Sequence, residues 1–203
     1  MKLPSPKALA LILEYEAGGG KAYYQKYLSK PTWPGEASGF TLGIGVDCAY
    51  YSPTELEKLF HFLTKEQLEI VKGASGKTGK SGMEYTKLHK DSGIVISWDQ
   101  ALEMFNILTW TKFAKLAEKA FPELDKLCDD AYGAIVSLVF NRGSSLSGDR
   151  RLEMRNIRDL VPKKDYKGIA KELRKMKRIW QGRGLDGLLE RREAEAKLVE
   201  TCA

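Results

Sequence analysis

The sequence predicts an α+β fold, with a small β-containing lobe near the N-terminus, a larger helical lobe, and a cleft between them. Three observations carry this. Tyr23, Tyr24, Tyr27, Trp33, Phe40, Tyr50 and Tyr51 are interspersed with Gly and Pro over residues 21–52, the texture of short strands and turns. From Ser52-Pro53 onward the apolar spacing is mostly helical. Finally, Ala131, Ala134, Ile135, Val136, Leu138, Val139 and Phe140 leave residues 130–141 so little polar surface that this helix belongs at the centre of a helical lobe. At 203 residues the chain can bury a real core. It contains neither an internal repeat nor a long linker. The expectation is one domain over 1–203, its β-containing lobe at about 17–52 and its helical lobe at 53–203, with a helix over 6–16 linking to the cleft.

The elements follow in order. Pro4 and Pro6 suit the entry to a first helix that runs to about Glu16 and is stopped by Gly18-Gly19-Gly20. Thr41-Leu42-Gly43-Ile44-Gly45-Val46-Asp47 reads as a compact strand and turn. Ser52 caps the next helix, with Glu55 completing a capping box, and Thr64 with Glu66–Lys72 suggests another. Residues 73–82 read as a flexible basic loop. They lack the phosphate-loop spacing, which requires Gly where Val71 and Ala74 stand. Ser97 caps a helix predicted through Trp98–Ala120, Pro122 punctuates, and helices near 151–161, 165–180 and 186–200 finish the chain.

Apolar residues make up 43% and charged residues 30%, which places the chain among ordinary globular proteins. A net charge of +6 favours polyanionic partners, yet no nucleic-acid-reading motif accompanies it, so nucleic acid is not expected. The three cysteines, Cys48, Cys128 and Cys202, are odd in number and widely spaced, and read as reduced thiols. Without CxxC pairs, and with only His61 and His89, a metal centre or histidine triad is not expected. No run approaches a membrane span. The apolar run Ala8–Leu13 is interrupted by Glu14 and Glu16 and lacks a cleavage site, so it reads as a helix rather than a leader.

Two carboxyl groups across a scissile bond are the usual requirement of glycoside hydrolysis. Glu16 suits the proton donor: a helix C-terminus and partial burial both disfavour ionisation, and the adjacent glycines leave room for a sugar. Glu14 is the local competitor. Asp47 follows Gly43-Ile44-Gly45 and could polarise a water that the Thr41 hydroxyl positions, or it could cap a turn.

Glu16-Ala17, Lys21-Ala22-Tyr23 and Thr41-Leu42-Gly43-Ile44-Gly45 together resemble the catalytic segment of phage-type lysozymes. Two later blocks are also similar to that family: Ala134 to Gly143, ending Phe140-Asn141-Arg142-Gly143, and Trp180 followed by Gly187-Leu188 through Arg191-Arg192 to Glu195. Gln25 departs from the pattern, since phage lysozymes commonly carry Asp there. Asp47, six positions after Thr41, is similar instead to the arrangement in the pesticin-like branch. The resemblance implies a lysozyme-like fold, Glu16 as general acid, Thr41 as water-positioning group and Asp47 as second carboxylate, with inversion at the anomeric carbon. Arg191 or Arg192 could balance Glu16, Asn141 and Arg142 could line the cleft, and Tyr23 could stack on sugar; helix pairing, helix capping and core packing are the plainer alternatives for each.

The implied activity is peptidoglycan muramidase, cutting between N-acetylmuramic acid and N-acetylglucosamine without metal or cofactor. A non-catalytic wall-binding module that kept the fold is the alternative. A monomer is expected, made in a cytoplasm without a standard signal and acting in the periplasm or on the wall. Its partner would be peptidoglycan, together with a holin if it is an endolysin or an immunity protein if it is an antibacterial effector.

Overall fold

The computed structural model describes residues 2–17 and 20–203; the side chains of Glu16 and Ala17 lie outside the described residues. Among the described residues the chain is mostly helical with one two-stranded antiparallel sheet, consistent with an α+β lysozyme-like fold. It forms two compact units, one of residues 19–105 and one of residues 1–18 with 106–203. No described helix is long and apolar enough to cross a membrane.

In the 19–105 unit the strands β1 (Thr41–Leu42) and β2 (Val46–Asp47) pair in the register Thr41↔Asp47 and Leu42↔Val46. Gly43 and Gly45 turn the chain at φ +62° and +72°, in the left-handed region where a side chain is strained. Thr32 extends the ladder, exchanging both backbone hydrogen bonds with Thr41 at 2.9 Å. The helices α3 (Pro53–Leu59) and α4 (Lys65–Gly73) start at Ser52 and Thr64, each with the reciprocal bonds of a capping box.

Two expectations for this region need correction. The aromatic stretch after Gly19 includes a helix, α2 (Gly20–Tyr27), rather than only strands and turns. Its Tyr24 is fully buried, donating its hydroxyl to the Ile96 carbonyl at 2.8 Å and meeting Trp98 edge-on, while Tyr23 and Tyr27 stay exposed. Aromatic richness alone does not separate a strand from a helix with one buried face.

Residues 73–82 are likewise not a loose loop. Helix α5 (Gly79–His89) begins inside them, and the preceding turn is tied to the hairpin segment. Gly76 donates to the Ala49 carbonyl, Gly79 to that of Ser38, and the Ser75 hydroxyl to that of Tyr51. A Cβ at Gly82 would sit 2.8 Å from Gly39 Cα, so this glycine allows a helix to touch backbone and does not mark flexibility.

The helix predicted over 98–120 spans those residues, with a π-helical turn inside it. Ser97 and Gln100 cap α6 (Trp98–Phe105) reciprocally, a π-helical turn follows at Asn106–Trp110, and α7 (Thr111–Ala120) resumes. Thr111 Oγ1 donates to the Asn106 carbonyl at 3.1 Å, spanning the widened turn.

The other unit is built around α8 (Asp129–Arg142), buried from Ala131 to Val139 as its composition predicts. Around it pack α1 (Pro6–Ala17), α7 and α11 (Asp186–Glu200), while α9 (Leu152–Leu160) and α10 (Tyr166–Lys175) extend from α11. Gly133 makes the α1 contact possible, since a Cβ there would overlap that of Ala8. The cysteine expectation is also corrected: Cys128 and Cys202 form a disulfide, their Cα atoms 6.3 Å apart across 74 residues of chain, and only Cys48 is free. Folding brings the entry of α8 to the end of α11, a proximity that linear spacing does not reveal.

Candidate active site

Thr41 and Asp47 face each other as a register pair, so the hairpin brings these two together. Thr41 is buried and its hydroxyl donates to the Gly39 carbonyl at 3.2 Å. Its one proton is thereby used, and any further bond at this oxygen must be accepted. Asp47 Oδ2 accepts from the Gly39 amide at 2.9 Å and Oδ1 from the Ala49 amide at 3.0 Å. The carboxylate is therefore rigidly held, and it caps the short 3₁₀ turn Cys48–Tyr50 in the way the turn-capping alternative expects. Tyr23 lies on α2, half-exposed, with its ring 4.8 Å from that of Tyr27.

In the helical unit, Glu16 is the penultimate residue of α1; its side chain, which carries the expected acid role, lies outside the described residues. Tyr15, one position earlier, lines a cleft of about 480 Å³ together with Asn141, Leu188 and Arg191. Burial comes first among the causes that push the Tyr15 hydroxyl pKa up, followed by the nearby Glu14, Glu190 and Glu195. Asn141 and Leu188 also border a larger cleft of about 720 Å³, which Arg142 and Trp180 line. Three residues expected to bind substrate, Asn141, Arg142 and Arg191, thus converge from α8 and α11 on two adjoining clefts.

What orients Arg191 is a buried charge cluster. Arg191, Arg192 and Glu195 occupy successive turns of α11 and are almost wholly buried. Arg192 Nη2 donates to Glu195 Oε1 at 2.7 Å, and Arg191 Nε lies 3.5 Å from the same oxygen. Ser137, the polar residue in the buried stretch of α8, donates its hydroxyl to that oxygen at 2.7 Å. Arg191 Nη2 donates to both Ser137 oxygens, and its guanidinium carbon lies 5.6 Å from the centre of the Tyr15 ring. Burial, ahead of the facing Arg191, pulls the Arg192 pKa down, opposed by Glu195.

Ser137 and Glu195 were not expected to serve the site. The spacing Arg191-Arg192-x-x-Glu195 does predict contacts along one helix. That those contacts are buried, and that Ser137 closes them from another helix, depends on packing.

A concave pocket with a few convergent polar groups is where a ligand is expected to bind. The family comparison is more specific. Residues 67–195 match the family model described as Phage lysozyme, well over half of the chain. The chain belongs to the phage lysozyme family, and so to glycoside hydrolases that act on peptidoglycan. The matched span includes α8 and the Arg191–Glu195 cluster; Glu16, Thr41 and Asp47 precede it. No protein of curated function matches the chain in sequence.

Proposed function

We propose that this protein is a bacteriolytic muramidase. It hydrolyses the β-1,4 bond between N-acetylmuramic acid and N-acetylglucosamine, with Glu16 as general acid, Thr41 holding the attacking water and Asp47 as the second carboxylate. Asn141, Arg142 and Arg191 bind substrate, and Tyr23 offers a sugar-stacking face. The observation that carries the reading is the meeting of Tyr15, Asn141 and Arg191 in one cleft, within a chain of the phage lysozyme family.

Each role has a physical basis. A donor at the C-terminal end of α1 meets the negative end of the helix dipole, which favours the protonated acid. A Thr41 hydroxyl whose proton is committed to Gly39 can accept from a water and so orient its lone pair. Asp47, fixed by two backbone amides, would hold its charge at one place. Inversion is the outcome proposed. The separation of Thr41 and Asp47 along the chain favours the pesticin-like arrangement within the wider superfamily.

The Cys128–Cys202 bond supports a working place outside a reducing cytoplasm, in the periplasm or at the wall. An endolysin released through a holin and an effector checked by an immunity protein both satisfy this.

Digestion of purified peptidoglycan, with reducing-end labelling and mass spectrometry, tests the activity. New muramic-acid reducing ends are expected. New glucosamine reducing ends would move the cut to the other bond, and wall binding without soluble products would leave the non-catalytic module.

A further inference from the structure

The larger cleft carries positive charge that its own residues do not neutralise. Arg142, Arg150 and Arg151 line it against one carboxylate, that of Asp149. The hydrogen bonds that hold these guanidiniums in place go to uncharged groups. Arg142 Nη2 donates to the Arg150 carbonyl at 2.7 Å, and Arg151 donates to the Arg142 carbonyl and to Met154 Sδ. Glu153, the acid that follows in the chain, is buried and paired with Arg178. Arg150 is exposed, and no carboxylate among the described residues pairs with it.

One donor is left over. Arg142 Nη1 is buried and has no hydrogen-bond partner among the described residues. A buried charged N–H without an acceptor is costly, so the site favours whatever supplies one. Trp180 packs against the same guanidinium, 4.8 Å from its carbon to the ring centre, and sets its plane. Burial first, then the facing Arg151, Arg192 and Arg150, pull the Arg142 pKa down to about 10. An anion in the cleft would relieve that repulsion. Planar guanidinium donors match the oxygens of carboxylates and phosphates better than those of neutral sugars.

We propose that Arg142, Arg150 and Arg151 form an oxyanion site that takes a carboxylate or phosphate group carried by the wall polymer. The proposal rests on the peptidoglycan reading above and gives it a second recognition point. Because the two clefts share Asn141 and Leu188, the anion binds beside the glycan chain. Two wall sources offer the chemistry: the carboxylates of the stem peptide on muramic acid, and the phosphates of a wall-linked glycopolymer.

Calorimetric titration tests this without hydrolysis, so an inactive enzyme would leave it standing. The probes are inorganic phosphate and a free stem pentapeptide, on the wild type and on Arg150→Glu. One-to-one binding is expected, weakened at least tenfold in the variant at unchanged thermal melting. Arg158→Glu makes the same charge change on α9 at a residue that does not line the cleft, and binding should survive it. Tighter binding of the peptide assigns the stem, and tighter binding of phosphate assigns the glycopolymer. Binding of neither probe, or equal loss in both variants, would overturn the proposal.

Discussion

Arg192, Glu195 and Ser137 show how buried residues can hold another side chain, here Arg191, in place. Glu195 is fully buried, and its Oε1 faces two guanidiniums and the Ser137 hydroxyl. Replacing one partner of such a cluster leaves buried charge uncompensated. Glu195→Ala is therefore expected to destabilise the protein by about 3–5 kcal/mol, read from chemical denaturation. A loss under about 1 kcal/mol would mean that the arginines find other partners. Asp47 permits a sharper separation of roles. As a turn cap alone, Asp47→Asn lowers stability and leaves kcat in proportion to folded protein; as second carboxylate, it lowers kcat well beyond that proportion. The sequence made both readings of Asp47 visible, because turn chemistry and catalytic chemistry ask for the same residue after Gly45.

Among the elements, capping was the most legible feature. Ser52 with Glu55 forms the expected capping box and Ser97 the expected cap, since these bonds depend on residues three apart, whereas the box of Thr64 with Gln67 came only with the structure. The buried α8 was also legible, because almost nothing on it could face water. What escaped detection depends on distant partners: α2 needs the Ile96 carbonyl for Tyr24, and α5 needs the backbone of Ser38 and Gly39 beside Gly82. Gly133 tests the α1–α8 contact that positions the helix bearing Glu16. Gly133→Ala would drive a methyl group into Ala8 and should cost about 1–3 kcal/mol through overpacking.

The α10–α11 contact carries a pH dependence. Arg174 bridges Glu193 at 3.0 Å and Glu200 at 2.8 Å, while Lys177 also holds Glu193. The Lys177 bond, joined by Arg174, holds the Glu193 pKa below its ordinary value; Arg174 does the same for Glu200. A carboxylate with a lowered folded pKa stabilises the protein above its unfolded pKa of about 4.3, and that contribution is lost as pH falls through the folded value. Melting temperature should therefore drop on acidification below about pH 4.3, and less steeply in Glu193→Gln. Equal slopes would remove these pairs from the account.

For the whole molecule, the disulfide and the net charge set the conditions of work. Cys128–Cys202 closes a long loop, and such a bond contributes about 2–4 kcal/mol, mainly by restricting the unfolded chain. Reductant should lower the melting temperature of the wild type and leave Cys202→Ser unchanged. The sequence hid this bond because three cysteines far apart do not reveal which two will meet. A net charge of +6 should hold the enzyme on anionic wall, so activity is expected to fall as salt screens that attraction. Constant activity from low to high ionic strength would contradict it.

The proposed catalysis depends on the acid at the end of α1. The deciding measurement is kcat on peptidoglycan for Glu16→Gln beside Glu14→Gln, each with its melting temperature. A loss of about a hundredfold or more is predicted for Glu16→Gln at unchanged stability, with Glu14→Gln near the wild type. Full activity in Glu16→Gln would contradict the central claim and move the proton donor elsewhere.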